Sequence, residues 1–250
     1  MKSVIFNTED VKAISDGRKT QFRKVVKLPD CKWSDGHKTK VEIINDFIED
    51  YFFRIEPKKK FQLSGLGDIE DWHEEDLIEK FSKHKVSNIL YVKETWRLGY
   101  WDDNGRVAID FKFGKDKSLK FPKSEFFNNL IKKSCDELKS KNILCDEYGD
   151  YKWEKYKSPL SWKSPIHMPK ELSRIFLKVT NVRVERLQDI AHIDMIKEGF
   201  KYDNDFKIAS GKELARWWIN RWNSTAKDSY KWEDNPYVFA YDFEIVKIKG

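Results

Sequence analysis

Apolar positions change their period twice within the first thirty residues. The run "SVIF" at 3–6 predicts a short strand. Behind it Val11 and Ile14 fall at helical spacing, with Thr8 suited to cap the helix start. Gly17 stands where a helix is commonly closed by a glycine in the left-handed conformation. From Thr20 to Leu28 the period becomes two, with Phe22, Val26 and Leu28 in one row. The stretch "DGRKTQFRK" at 16–24 therefore lies on a helix-to-strand turn, where backbone N–H groups and cationic side chains converge.

The strand pattern returns in "NILYVKETW" at 88–96. Leu90, Val92 and Trp96 share one face, and Glu94 falls in the same apolar row. A carboxylate in that row needs a partner or a pocket mouth, because an unpaired buried charge costs several kcal/mol. Lys19, Arg18 and Arg174 are the candidate partners. "GYWDDNGRVAIDFKF" reads as a hairpin turning at Asp103-Asn104-Gly105. "RIFLKVTNVRVERL" predicts one long strand, or two joined at a bulge near Thr180-Asn181, and a short helix then ends at Glu198-Gly199. Ser210 and Glu213 form a capping-box pair opening a helix that carries Leu214, Trp217, Trp218 and Trp222. That spacing makes the tryptophans mainly core residues. "YVFAYDFEIV" supplies a final strand. The intervening segments, 30–86 and 114–160, are mixed in charge and read as insertions, with helices expected at 41–53, 74–84 and 124–139.

Composition narrows the class. Ten Trp and 17 Phe in 250 residues argue for a folded chain despite a charged fraction of 36%. The net charge of +6 is spread along the length, which permits an anionic partner without demanding one. Three cysteines (Cys31, Cys135, Cys145), with no apolar leader or membrane-length run, point to a reducing, cytoplasmic setting with plain thiols and no membrane partner. "HEEDL" at 73–77 starts like a zinc-protease helix but has Leu77 where the second histidine belongs. "GLGDIE" at 65–70 lacks the third glycine of a dinucleotide fingerprint and reads as a loop. No metal and no cofactor is expected.

The blocks "ISDGRKTQFRKVV", "NILYVKETW", "SPIHMPKELSRIFLKVTNVRVERLQDI", "IKEG" and "NPYVFAYDFEIV" together resemble the ASCH domain, a branch of the PUA-like superfamily, in the long form found in phages and prophages. The resemblance implies an α+β fold: a single PUA-like domain over 1–250, built as a small β-barrel with rim helices. Its core blocks are 1–28, 86–113, 162–199 and 235–248, and the two insertions are atypical of the family. It also implies a cleft facing RNA, single-stranded DNA or a modified nucleoside, with the insertions available to a protein partner.

The resemblance extends to small amidohydrolases acting on N4-acetylcytidine. Their lysine and glutamate correspond to Lys19 and Glu198, the candidate catalytic pair, but their threonine position holds Phe22. Three further departures are Lys24 for an arginine, Asn88 for an aspartate and Ala191 for a helix-capping Thr or Ser. Phenylalanine supplies no nucleophile, so the expected activity is binding through Arg18, Lys19, Thr20, Phe22, Lys24, Glu94 and Arg174. Hydrolysis of a modified cytidine, or of RNA, is the alternative. Phe22 either stacks on a base or packs with Val26 and Leu28, and His167 either lines the cleft or is satisfied by backbone.

Overall fold

A computed structural model describes residues 1–29, 31–32, 38–49, 58–66, 68–102, 104–114, 117–120, 125–202 and 210–247. In chain order its elements are β1 (Lys2–Ile5), α1 (Thr8–Ser15), β2 (Gln21–Val25), β3 (Cys31–Lys32), β4 (Lys38–Thr39), β5 (Glu42–Glu49), β6 (Lys58–Leu66), β7 (Asp68–His73), α2 (Glu74–Phe81), β8 (Ile89–Lys93), β9 (Trp96–Trp101), β10 (Arg106–Phe111), β11 (Lys117–Lys120), α3 (Glu125–Ser140), β12 (Phe176–Arg186), α4 (His192–Lys197), α5 (Gly211–Thr225) and β13 (Tyr237–Val246).

The sheets stay open. The largest has the order β1-β8-β12-β13-β2, beside three-stranded β11-β10-β9 and β5-β6-β7 and the short pair β3-β4. β1 and β2 end the five-stranded order and no described ladder joins them, so the small closed barrel implied by the family resemblance is not formed. The fold is α+β with open sheets, and the barrel and PUA-like assignments are corrected accordingly.

The chain divides into two compact units: 1–15, 90–177 and 246–250 in the first, 16–89 and 178–245 in the second. In the first unit β1 pairs in parallel with β8, Lys2 opposite Leu90 and Ile5 opposite Lys93. The Asn7 side chain accepts from the Asp10 N–H at 2.8 Å, so the cap of α1 lies one residue before Thr8. The predicted hairpin is β9–β10, with a bulge at Gly99. There a Cβ would stand 2.4 Å from the Asp110 Oδ1, which only glycine avoids. The inner face of this hairpin (Trp96, Leu98, Val107, Ile109, Phe111) packs with Phe127, Leu130 and Leu138 of α3. Phe126, next to Phe127 on the same helix, is exposed.

In the second unit a helix was expected over 41–53, of which 50–53 lie outside the described residues; Glu42–Glu49 is strand β5, pairing antiparallel with β6, and β6 pairs with β7. Sheet pairing has overridden a helix-compatible pattern that is equally rich in β-branched and aromatic residues. Gly65 (φ +90°) sits where a Cβ would collide with the Lys40 carbonyl, and "GLGDIE", expected to be a loop, lies in strand instead: Gly65 and Leu66 end β6 and Asp68, Ile69 and Glu70 open β7, with Gly67 outside the described residues. The capping box of Ser210 and Glu213 opens α5 as expected. Leu214 and Trp218 of that helix join Leu187, Ile190, Met195 and Val238 in a core, with Trp217 and Trp222 at its edge. No helix among the described residues is long and apolar enough to cross a membrane.

One anchor in the first unit carries a pH signature. Glu137 accepts from Lys141 at 2.7 Å and from the Ser161 N–H at 2.6 Å, tying the chain after α3 back to the helix. Partial burial pushes its carboxyl up, but these donors outweigh it and hold it down at about 2. A depressed folded-state pKa stabilises the fold above the ordinary glutamate range, and that contribution is lost as pH falls towards 2. Urea unfolding at stepped pH should therefore show the wild type more stable than Glu137→Gln near neutrality, with the gap closing in acid. A gap independent of pH contradicts this anchor.

Candidate functional site

The turn after α1 is held against the end of α4 by the backbone. Gly17 takes φ +74° and Gly199 φ +106°. Lys19 and Glu198 face each other as an isolated antiparallel bridge, and the Thr20 N–H donates to the Lys197 carbonyl at 2.8 Å. Arg18 adds a bond to the Gly199 carbonyl at 2.7 Å. This places the Lys19 Nζ 2.6 Å from the Glu198 Oε2 and 3.0 Å from the Glu198 carbonyl oxygen, with both residues only 3% exposed.

Strand alternation extends the pair into a network. Gln21 and Arg23, two apart on β2, share a face, and Phe22 points to the other. On the polar face Arg23 reaches the Glu198 Oε1 at 2.9 Å, the Glu185 Oε1 at 2.6 Å and the Gln21 Oε1 at 2.6 Å. Gln21 donates to Asp242, its cross-strand neighbour on β13, at 2.6 Å and to Asp194 of α4 at 3.2 Å. On β12, Asn181, Arg183 and Glu185 occupy alternate positions, while Val182 and Val184 are buried. The Arg183 guanidinium is clasped by Glu185 at 2.9 Å, Asp194 at 2.7 Å and Asp242 at 3.2 Å. Arg23 also lies 5.6 Å from the ring centre of Trp218.

The charges nearly cancel. Lys19, Arg23 and Arg183 face Glu185, Asp194, Glu198 and Asp242, and Lys197 approaches Asp194 to 3.6 Å at the rim. Burial works against the Arg183 charge, but its three carboxylates prevail and raise its pKa. Exposure is graded: Lys19, Arg23 and Glu198 are enclosed, while the Arg183 and Asp242 side chains keep about a quarter of their surface in solvent. Among the described residues no group of three or more His, Cys, Asp or Glu side chains is placed to hold a metal ion. The carboxylates here are interleaved with cations instead.

The other sequence-derived residues are dispersed around this network. Phe22 is buried on the opposite face, stacked on Tyr241 with centroids 4.7 Å apart and flanked by Phe243 and His84, so it packs the core and offers no ring to a base. Thr20 and Lys24 are exposed. Thr20 alternates with inward-facing Lys19, so its hydroxyl and the Lys19 amine point to opposite sides. Glu94 and Arg174 belong to the first unit and form their own pair. Arg174 donates bidentately to Glu94 at 2.9 and 2.8 Å and lies over the Phe111 ring at 4.3 Å. Burial pushes the Glu94 carboxyl up, and Arg174 partly offsets it. His167 is exposed, its N–H bonded to the Ser164 carbonyl. Arg23 stood in the basic stretch as either a clamp residue or part of a solvated turn; Gln21, Arg183, Glu185, Asp194 and Asp242 were not singled out from the sequence. For Gln21, Arg23, Arg183 and Glu185 the signal is the alternation of "QFR" and "NVRVE", which any half-exposed strand shares.

No family model matches the chain, no curated protein matches it and no solved structure matches it. With the open sheets, this removes the ASCH and PUA-like assignment, together with the phage-type and RNA-binding labels that followed from it.

Two substitutions separate the faces of β2. Lys19→Ala leaves part of a buried carboxylate uncompensated and should lower stability by about 3–5 kcal/mol in denaturant unfolding. Phe22→Ala should cost a similar ~3–5 kcal/mol by opening a cavity beside Tyr241. Wild-type-like midpoints for both would contradict the burial described.

Proposed function

We propose that the protein binds a nucleoside, free or within a nucleic acid, through the graded charge network of the second unit. The observation that supports this is the fan of three carboxylates around Arg183, whose side chain is about a quarter exposed, backed by the enclosed Lys19–Glu198–Arg23 group. A nucleobase edge carries donors and acceptors side by side. Asp194 and Asp242 suit an exocyclic amino group or ring N–H, and Arg183 suits a carbonyl or ring nitrogen. Three carboxylates around Arg183 disfavour a phosphate there. Arg18 and Lys197, at the rim, suit the sugar-phosphate side. A cytoplasmic setting agrees with the free thiols of Cys135 and Cys145.

Hydrolysis of an acylated cytidine is the second reading, favoured by the 2.6 Å Lys19–Glu198 contact. Two features weigh against it. The network residues include no Ser, Thr or Cys to act as nucleophile. Both Glu198 oxygens are already engaged, one by Lys19 and one by Arg23, leaving a poor general base.

Titration of tryptophan fluorescence with cytidine, adenosine, uridine and N4-acetylcytidine tests the proposal. Base recognition at a near-neutral site should give affinity almost independent of salt. Arg183→Gln should weaken it roughly 10- to 100-fold, the equivalent of ~1.5–3 kcal/mol for a charged hydrogen bond. N4-acetylcytidine should be recovered intact by chromatography. Saturable binding unaffected by Arg183→Gln would place the ligand elsewhere, and robust release of cytidine would replace the binding reading with the hydrolase.

A further inference from the structure

The first unit carries a surface that the nucleoside reading does not use. Residues 151–163 read "YKWEKYKSPLSWK": four lysines and four aromatic residues against a single glutamate. The segment forms no helix or strand, yet it is pinned along β9. The Trp153 Nε1 donates to the Gly99 carbonyl at 2.6 Å, and its ring packs on Trp101 with centroids 5.5 Å apart. Ser158 donates to the Leu98 carbonyl at 2.7 Å and Leu160 is buried. Lys163 and Trp96 exchange backbone bonds of 2.7 and 3.3 Å. These anchors leave Tyr156, 49% exposed, and Trp162, 37% exposed, facing solvent.

Arg97 organises the exposed rings. Its Nε donates to Asp110 at 3.1 Å, one terminal nitrogen donates to the Tyr156 carbonyl at 2.6 Å, and the guanidinium lies 4.4 Å from the Trp162 ring centre. Tyr156 is held at φ +66°, a left-handed conformation that a bulky residue rarely adopts. The bulge at Gly99 turns Tyr100, also 49% exposed, onto the side of the hairpin that carries Arg97. Lys155 lies 4.9 Å from the Tyr156 ring centre, and Lys152 and Lys157 extend into solvent. Two acidic groups temper the charge: Asp146 meets Lys152 and Glu154 meets Lys157.

We propose that segment 151–163, with Arg97 and Tyr100, is a docking surface for single-stranded nucleic acid. Exposed rings held at fixed positions accept unstacked bases on their faces, and the lysines with Arg97 supply a moderate attraction for the backbone. A duplex keeps its base faces covered and cannot use such rings. The surface requires no base-specific donor pattern, so its preference is for strand state over sequence.

Anisotropy of labelled oligothymidylate tests it on the full chain, with a matched duplex and polyglutamate as competitors. Single strands should bind with a log–log salt slope of about −1 to −2, from ~0.7 per neutralised phosphate. Trp162→Ala and Tyr156→Ala should each weaken binding roughly 5- to 150-fold, matching ~1–3 kcal/mol per stacked base. The surface change Lys155→Glu, which keeps every ring but reverses the charge beside Tyr156, should weaken binding and flatten the salt slope. Lys155→Glu should leave cytidine binding intact, which separates this surface from the nucleoside site. Equal competition by duplex or by polyglutamate would overturn the proposal. So would wild-type affinity in all three of the first unit's variants.

Discussion

Glu198 is one carboxylate serving two cations, and the second unit is arranged around that sharing. Its Oε2 binds Lys19 and its Oε1 binds Arg23, so the turn before β2 and the strand itself are fixed to the end of α4 through a single group. Enclosed Lys19 draws on this carboxylate, Arg23 shares it with Glu185 and Asp194, and the carboxylate needs at least one of the two cations. The chain meets this demand by passing charge outward in steps, from Arg23 to Glu185 and Asp194, and from these to Arg183 and Asp242 at the partly exposed edge. Buried and exposed polar groups thus form one connected set, in which strength at the centre and availability at the rim have the same origin.

Local elements were legible where one residue type settles the matter. Gly17, the Ser210–Glu213 capping box and the hairpin alternation around Val107 and Ile109 each follow from backbone or burial rules that act within a few residues. The Glu94–Arg174 pair was also within reach, because a carboxylate in an apolar row names its own need for a cation. Closure of the sheet was not. Whether end strands meet depends on twist and pairing summed over strands distant in sequence, and motif blocks in a suggestive order carry no information about it. For β5 the failure was one of period: "VEIINDFIED" satisfies both a helix and a strand, and the partner strand β6 decided.

The candidate site shows the same division. Lys19 and Glu198 stood out as residues, but the network joining them came from positions that alternation marks only as polar. Arg183 and Glu185 look like the solvent face of β12 and are instead partly covered by α4, through Asp194. Phe22 illustrates the converse. Its place in a basic stretch suggested a ligand-facing ring, whereas its parity with Tyr241 across the β2–β13 ladder assigns it to the apolar side.

That parity has a consequence for how the sheet is assembled. β2 is a terminal strand in the described order, the kind most open to slippage and to pairing with foreign chains. A shift of β2 by one residue against β13 carries Arg23 into the aromatic cluster and Phe22 among the carboxylates. Both errors are penalised at once, one by stranding a guanidinium in hydrocarbon and the other by leaving acids without their counter-ion. The ionic side of β2 therefore acts as a proofreader, admitting one alignment of this strand and rejecting its neighbours.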